Sequence, residues 1–226
     1  MKKFLIFALC IAISASLSAQ IKVLKPAGVF KIPNISKAEY LKAADSPNPP
    51  RTIELNPIFS VFYSNSCSWY CGGQVGRITA SSSLQSQGKY SYGAENLHDF
   101  DHETAWVEGK EGYGIGEYIT YEFPYRSPRV TTINIHNGYV KSDQAWLANS
   151  RVKKLKVYYN DVPYAILLLE NSRSLQWFDV GVLGNHPSPK NAKVWTLKFE
   201  ILEVWPGTKY KDTAISDIYF DGIDVH

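Results

Sequence analysis

Apolar and polar residues alternate along most of the second half of this 226-residue chain. In YITYEF, Ile119, Tyr121 and Phe123 share one side, and Tyr118, Thr120 and Glu122 the other. In TTINIHNG, Ile133 and Ile135 alternate with Thr132, Asn134 and His136 before Asn137-Gly138 turns the chain. Leu155, Val157 and Tyr159 alternate with Lys154, Lys156 and Tyr158; Asn160-Asp161 interrupts, and a second apolar run follows, the pattern of a hairpin. Trp195, Leu197, Phe199 and Ile201 face away from Thr196, Lys198 and Glu200. SLQWFDV and AISDIYFDGIDV add two more such runs. A period of two with no long helical period predicts about seven short strands, each with one buried face. Such strands make an all-β sandwich.

The first 56 residues follow other rules. MKKFLIFALCIAISASLSA has two lysines, an apolar run and small residues, the order of a secretory signal cleaved after Ala19. Its apolar run is short of the roughly 20 residues a membrane span needs, and Leu9 before Cys10 does not suit a lipid anchor. A retained N-terminal anchor is the alternative. Residues 20–56 are irregular, with one short helical possibility at SKAEYLKAA and the breakers DSPNPPR, and read as an extension or linker. Asn34-Ile35-Ser36 matches a glycosylation sequon. Residues 57–226 are then the domain, and the protein is expected to be exported.

Charge narrows the partners. Without the first 19 residues, 22 basic residues face 21 acidic ones, a net charge of +1. Nucleic acid is excluded on that balance, because phosphate binding needs a concentrated positive stripe. Six Trp, fifteen Tyr and ten Phe suit both a β-sandwich and a surface that stacks on sugars.

Several clusters carry chemistry. Cys67 and Cys71 are expected to pair as a local disulfide in an exported protein, with a metal pair as the rival. Asp99, Asp101 and Glu103 alternate, but an EF-hand needs Gly at its sixth position and Glu at its twelfth, where Thr104 and Lys110 stand. An irregular calcium loop and a solvated acidic turn both remain open. The glycines of GKEGYGIGE precede a strand pattern rather than a helix, so no phosphate cradle is predicted. Glu108 with Glu111 or Glu117 offers a glycosidase-like acid pair. The five histidines lack zinc-type spacing. Finally, NGYVKSDQAWLANSR joins Tyr139, Lys141, Trp146, Asn149 and Arg151 in one long connection, the kind of loop that often binds ligands on a rigid sandwich. The alternative is an ordered loop whose Trp146 plugs the core.

ASSSL…Y…AENLHDFDHETAWVEG resembles the opening of discoidin-like domains, also called coagulation-factor type C or galactose-binding-like domains. TAWVEGKEGYGIGEYITYEF and INIHNGYVKSDQAWLANSRVKKLKV, with CSWYCGG, look like one bacterial branch, the NADase-type glycan-binding domains. The resemblance covers residues 66–226 and implies a jelly-roll β-sandwich of about eight strands that recognises carbohydrate without catalysis. It also implies a structural calcium held by Asp99, Asp101 and Thr104, a carbonyl near Asn96, and Asp217, where Glu is more usual. Trp106 would then be core. The sugar-binding candidates are Glu108, Tyr113, Tyr139, Lys141, Trp146, Asn149 and Arg151, which combine stacking faces with charged and amide groups. The expected partner is a glycan or cell-surface glycoconjugate. A protein-binding adhesion module and a glycoside hydrolase built on Glu108 are the alternatives.

Overall fold

The computed structural model describes residues 21–31, 69–72, 75–185 and 193–224. The signal segment, the Asn34 sequon, the possible helix at SKAEYLKAA, the domain boundary at residue 57 and Cys67 lie outside these residues. The described residues form an all-β sandwich. Its strands are β1 (Lys22–Leu24), β2 (Gly28–Phe30), β3 (Arg77–Ala80), β4 (Trp106–Val107), β5 (Tyr118–Phe123), β6 (Arg129–Asn137), β7 (Ser150–Tyr159), β8 (Val162–Leu168), β9 (Leu175–Leu183), β10 (Trp195–Trp205) and β11 (Thr213–Ile223). One short helix, α1 (Asp143–Ala148), lies between β6 and β7.

The strands form one continuous hydrogen-bonded sheet that folds into two layers. One runs β2-β9-β6-β11 with β4 on β11, and the other β1-β8-β7-β10-β5-β3. The layers meet where β11 runs parallel to β7 over two residue pairs, Thr213 with Ser150 and Ala214 with Arg151. Between the faces lies the core. Ile119, Tyr121 and Phe123 of β5 and Trp195, Leu197, Phe199 and Ile201 of β10 are all inaccessible, as their alternation requires. Ile133 and Ile135 of β6, Phe178 of β9 and Phe220 of β11 meet them from the opposite layer. Phe123 stacks on Trp195 with centroids 4.0 Å apart and packs edge-on to Phe220 at 5.0 Å, an aromatic centre for the sandwich.

The β7–β8 hairpin turns through Asn160 and Asp161, both with positive φ (48° and 63°), the backbone of a tight turn matched to strand twist. The first residues of the N-terminal extension are part of the sandwich. β1 adds a parallel strand to β8 and β2 an antiparallel strand to β9, one on each layer. Each covers backbone groups that a bare edge would leave open.

Candidate functional site

The Asp99–Thr104 turn follows a 3-10 turn over Ala94–His98. Its side chains fold back on its own backbone. Asp99 Oδ1 accepts from Asp101 N at 2.9 Å, and Asp101 Oδ1 accepts from Glu103 N at 3.0 Å, two successive Asx turns. The Thr104 hydroxyl donates to Asp99 Oδ2 at 2.7 Å. Asn96 is buried, and its amide donates to the carbonyls of Ser91 and Ala105, both at 2.9 Å, tying the turn's two ends together. Partial burial raises the Asp99 carboxyl above its ordinary range, although the bonds from Thr104 and Asp101 oppose the shift. Carboxylate and hydroxyl oxygens thus lie together in one loop, a donor chemistry that fits a hard cation.

Asp217, assigned to the same calcium set by resemblance, has other partners. It sits on β11 directly across from His136 on β6, and it is inaccessible to solvent. Its Oδ2 accepts from His136 Nδ1 at 2.8 Å and from His102 Nδ1 at 3.1 Å, while the Tyr219 hydroxyl donates to Oδ1. Burial alone would raise its pKa, but the bonds from His102 and His136 outweigh it and hold the carboxyl well below the carboxylate range. Burial pushes His136 the other way, down to about 4, so this imidazole is neutral near pH 7.

A concavity lies beside the acidic turn. A cleft of about 400 Å³ is lined by Tyr90, Tyr92, Tyr139 and Tyr210, with Lys141, Lys209, Asp212 and the amides of Gln87, Gln144 and Asn149. Lys141 Nζ stands 4.8 Å above the Tyr90 ring, and Lys209 Nζ 4.8 Å above Tyr210. The Tyr139 hydroxyl donates to the Glu103 carbonyl at 3.1 Å, joining the cleft wall to the acidic turn. Burial, reinforced by Tyr92 and Tyr90, pushes Tyr139 up to about 12, so it remains a neutral donor.

Of the seven residues expected at a sugar site, Tyr139, Lys141 and Asn149 line this cleft. Trp146 and Arg151 support it from below. The Trp146 indole donates to the Asn137 carbonyl at 2.8 Å. Arg151 is buried and lies 4.4 Å over the Trp146 ring. It donates to the carbonyls of Trp146 (3.1 Å), Asn149 (2.8 Å) and Pro206 (3.4 Å) and to the Asn171 side chain at 3.1 Å. Gly138 makes room for both: a Cβ there would lie 2.5 Å from Arg151 Cγ and 2.8 Å from Trp146 Cδ1, at a φ of +88°. Above this floor, Ser142 caps α1 by accepting from Ala145 N at 3.1 Å.

Glu108 and Tyr113 do not line the cleft. Glu108 is inaccessible and accepts from the backbone N–H groups of Thr213 (3.1 Å) and Lys110 (2.8 Å), a brace between the glycine-rich lip and β11. Its supposed acid partner Glu117 accepts from the Ser81 and Ser82 hydroxyls, each at 2.5 Å. Glu111 is exposed on the lip. Tyr113 is exposed, with Lys211 Nζ 5.9 Å above its ring. Tyr90, Tyr92 and Tyr210 were not singled out from the sequence. The Lys/Tyr alternation of KYSY and TKYKD, aromatic rings beside cations in turn-rich segments, is the signal that marks them.

A family model described as the NAD glycohydrolase translocation F5/8 type C domain matches residues 69–221. The chain belongs to this family. The sandwich, the turn after the 3-10 segment and the aromatic cleft are therefore features of an F5/8 type C domain, the discoidin-like class that the sequence motifs suggested. Among curated proteins nothing matches. Among solved structures, the CBM32-1 and CBM32-2 domains of Clostridium perfringens ZmpB are similar at 11% identity and a TM-score of 0.48, over 73% of this chain and 38% of that one. A CBM32 domain of C. perfringens GH89, solved in complex with GalNAc-β-1,3-galactose, is similar at 13% identity and a TM-score of 0.43, over 65% and 94%. CBM32-3 from a C. perfringens family 31 glycoside hydrolase follows at 16% and 0.44, over 65% and 91%. Among the described residues of this F5/8 type C domain, no helix is long and apolar enough to cross a membrane.

Proposed function

We propose that this F5/8 type C domain is an exported, non-catalytic module that binds carbohydrate on a cell-surface glycoconjugate. The observation that carries the reading is the tyrosine-lined cleft. Sugars present apolar C–H faces and a ring of hydroxyls, so their recognition needs aromatic planes beside donors and acceptors. Four tyrosines supply the planes, and Lys141, Gln144, Asn149 and Asp212 supply the polar groups. Glu108 and Glu117 have their oxygens engaged by backbone and serine donors, which favours binding over hydrolysis. Export rests on the N-terminal segment, whose order of charged, apolar and small residues is that of a secretory signal.

A glycan array on the chain beginning at Gln20, followed by calorimetry, tests the proposal. Discrete saccharide hits whose affinity Tyr90→Ala and Tyr210→Ala each lower about tenfold support it. An array without hits, or hits whose affinity neither substitution changes, sinks it.

Calcium is proposed at the acidic turn, held by Asp99, Asp101 and Thr104 with a carbonyl near Asn96. The ion would supply fixed positive charge that orders the turn. Asp217 faces nitrogen donors, so the hard-cation set rests on the other residues. Calcium at about 100 times its Kd should stabilise the domain by about 2.7 kcal/mol. A melting temperature that chelator leaves unmoved removes the ion from the proposal.

A further inference from the structure

The pairing of β6 with β11 brings His136 and Asp217 face to face, and the acidic turn lays His102 over them. One ligand atom from each of the three residues lies within 4.8 Å of the other two. Both imidazoles aim Nδ1 at the same carboxylate oxygen, and their rings meet edge to face with centroids 4.6 Å apart. The opposite carboxylate oxygen is held by the Tyr219 hydroxyl, which fixes the direction in which Oδ2 points. Asp217 and His136 are closed off from solvent, whereas the His102 side chain is 18% exposed, so the cluster has a protein floor and one open side.

We propose that His102, His136 and Asp217 form a binding site for a divalent transition metal of the zinc class. Two imidazole nitrogens and one carboxylate oxygen are the donors such ions take, at about 2.0–2.2 Å, with a fourth position left for water. Calcium prefers six to eight oxygens, so this site and the oxygen-only turn at Asp99–Thr104 select different ions. Two of the three spacings, Nδ1 to Oδ2 at 2.8 and 3.1 Å, are already close to the roughly 3.3 Å between neighbouring ligand atoms on a tetrahedral ion, and the whole set lies within 4.8 Å. Without metal, each Nδ1–H donates to Oδ2. As metal ligands, both rings would carry their proton on Nε2 and present the Nδ1 lone pair. Tyr219 then acts from the second layer, orienting the carboxylate ligand.

The test is calorimetric titration of the full chain, freed of metal by chelation, with zinc and separately with calcium. Cobalt is used as a spectroscopic substitute. One equivalent of zinc should bind, and cobalt should give the intense visible bands of a four-coordinate centre. Tyr219→Phe should weaken zinc by about 10- to 100-fold, and His102→Gln should weaken it further. His102 is the one partly exposed member, so its variant reads the site even if His136→Gln or Asp217→Asn disturbs folding. Circular dichroism confirms that the His102 variant is intact. No heat with zinc, a six-coordinate cobalt spectrum, or wild-type zinc affinity in His102→Gln overturns the proposal. Calcium displacing zinc from the site also overturns it, and returns Asp217 to the calcium set.

Discussion

Lys141 and Arg151 each place a cation over an aromatic ring, 4.8 Å above Tyr90 and 4.4 Å above Trp146, yet the two pairs do opposite work. Arg151 is buried, and four of the five N–H groups of its guanidinium are engaged by three carbonyls and an amide oxygen of the fold. Lys141 and Tyr90 are exposed at the rim of an open cleft. A cation stacked on an aromatic ring builds scaffold where its polar groups are satisfied internally, and a recognition surface where they face solvent. Sequence placed Tyr139, Lys141, Trp146, Asn149 and Arg151 in one group because they share a loop; hydrogen bonding separates them.

The largest effect should fall on the buried pair. Arg151→Ala leaves three carbonyls without their donor, at about 1–3 kcal/mol each where no water reaches them, and a total loss near 3–5 kcal/mol is expected in urea unfolding. A loss below about 1 kcal/mol would break the contrast. Next comes His136, the buried titrating group of the Asp217 cluster. Its folded pKa of about 4 lies below the unfolded value of 6.5. The unfolded chain therefore takes up a proton first, and stability falls as pH drops from 6.5 towards 4. In the metal-free protein this costs about 3 kcal/mol. Asp217 has its pKa lowered in the folded state, so its contribution is present above the unfolded carboxylate pKa and is lost at more acid pH. His136→Gln should flatten the upper part of this profile; an unchanged slope would show that another group titrates there.

Glu108→Gln separates brace from catalyst. It should cost about 1–3 kcal/mol by replacing one charged acceptor with a donor facing a backbone N–H, and glycan affinity per folded molecule should be nearly unchanged. The exposed pair should behave in the reverse sense. Tyr90→Ala is expected to shift stability by less than about 0.5 kcal/mol while weakening glycan binding roughly tenfold, about 1.4 kcal/mol. Lys141→Ala should do the same more gently, by about 0.5–1 kcal/mol. If either substitution destabilised the fold as much as Arg151→Ala, the rim would be scaffold too.

Much of the sandwich was legible because alternation reports burial directly: Ile119 to Phe123 and Trp195 to Ile201 are as closed off as their period demanded. β1 and β2 were not, since three residues are too few to show a period, and they form by covering strand edges made elsewhere. In the cleft, Tyr139, Lys141 and Asn149 were visible within one loop. Tyr90, Tyr92 and Tyr210 come from segments more than a hundred residues apart, which only the fold brings together. His136 reaches Asp217 through strand register, and a slip of one residue would send one of them to the opposite face. Spacing along the chain carries no record of that.

The junction between the layers also has a mechanical side. β7 and β11 touch over only two residue pairs, beginning at Ser150 and Thr213. The residues just before them, Asn149 and Asp212, stand on the wall of the cleft. A ligand spanning that wall would cross the seam like a staple. A pull that peels the two layers apart would load this seam early, and an occupied cleft would make the domain harder to tear open under force.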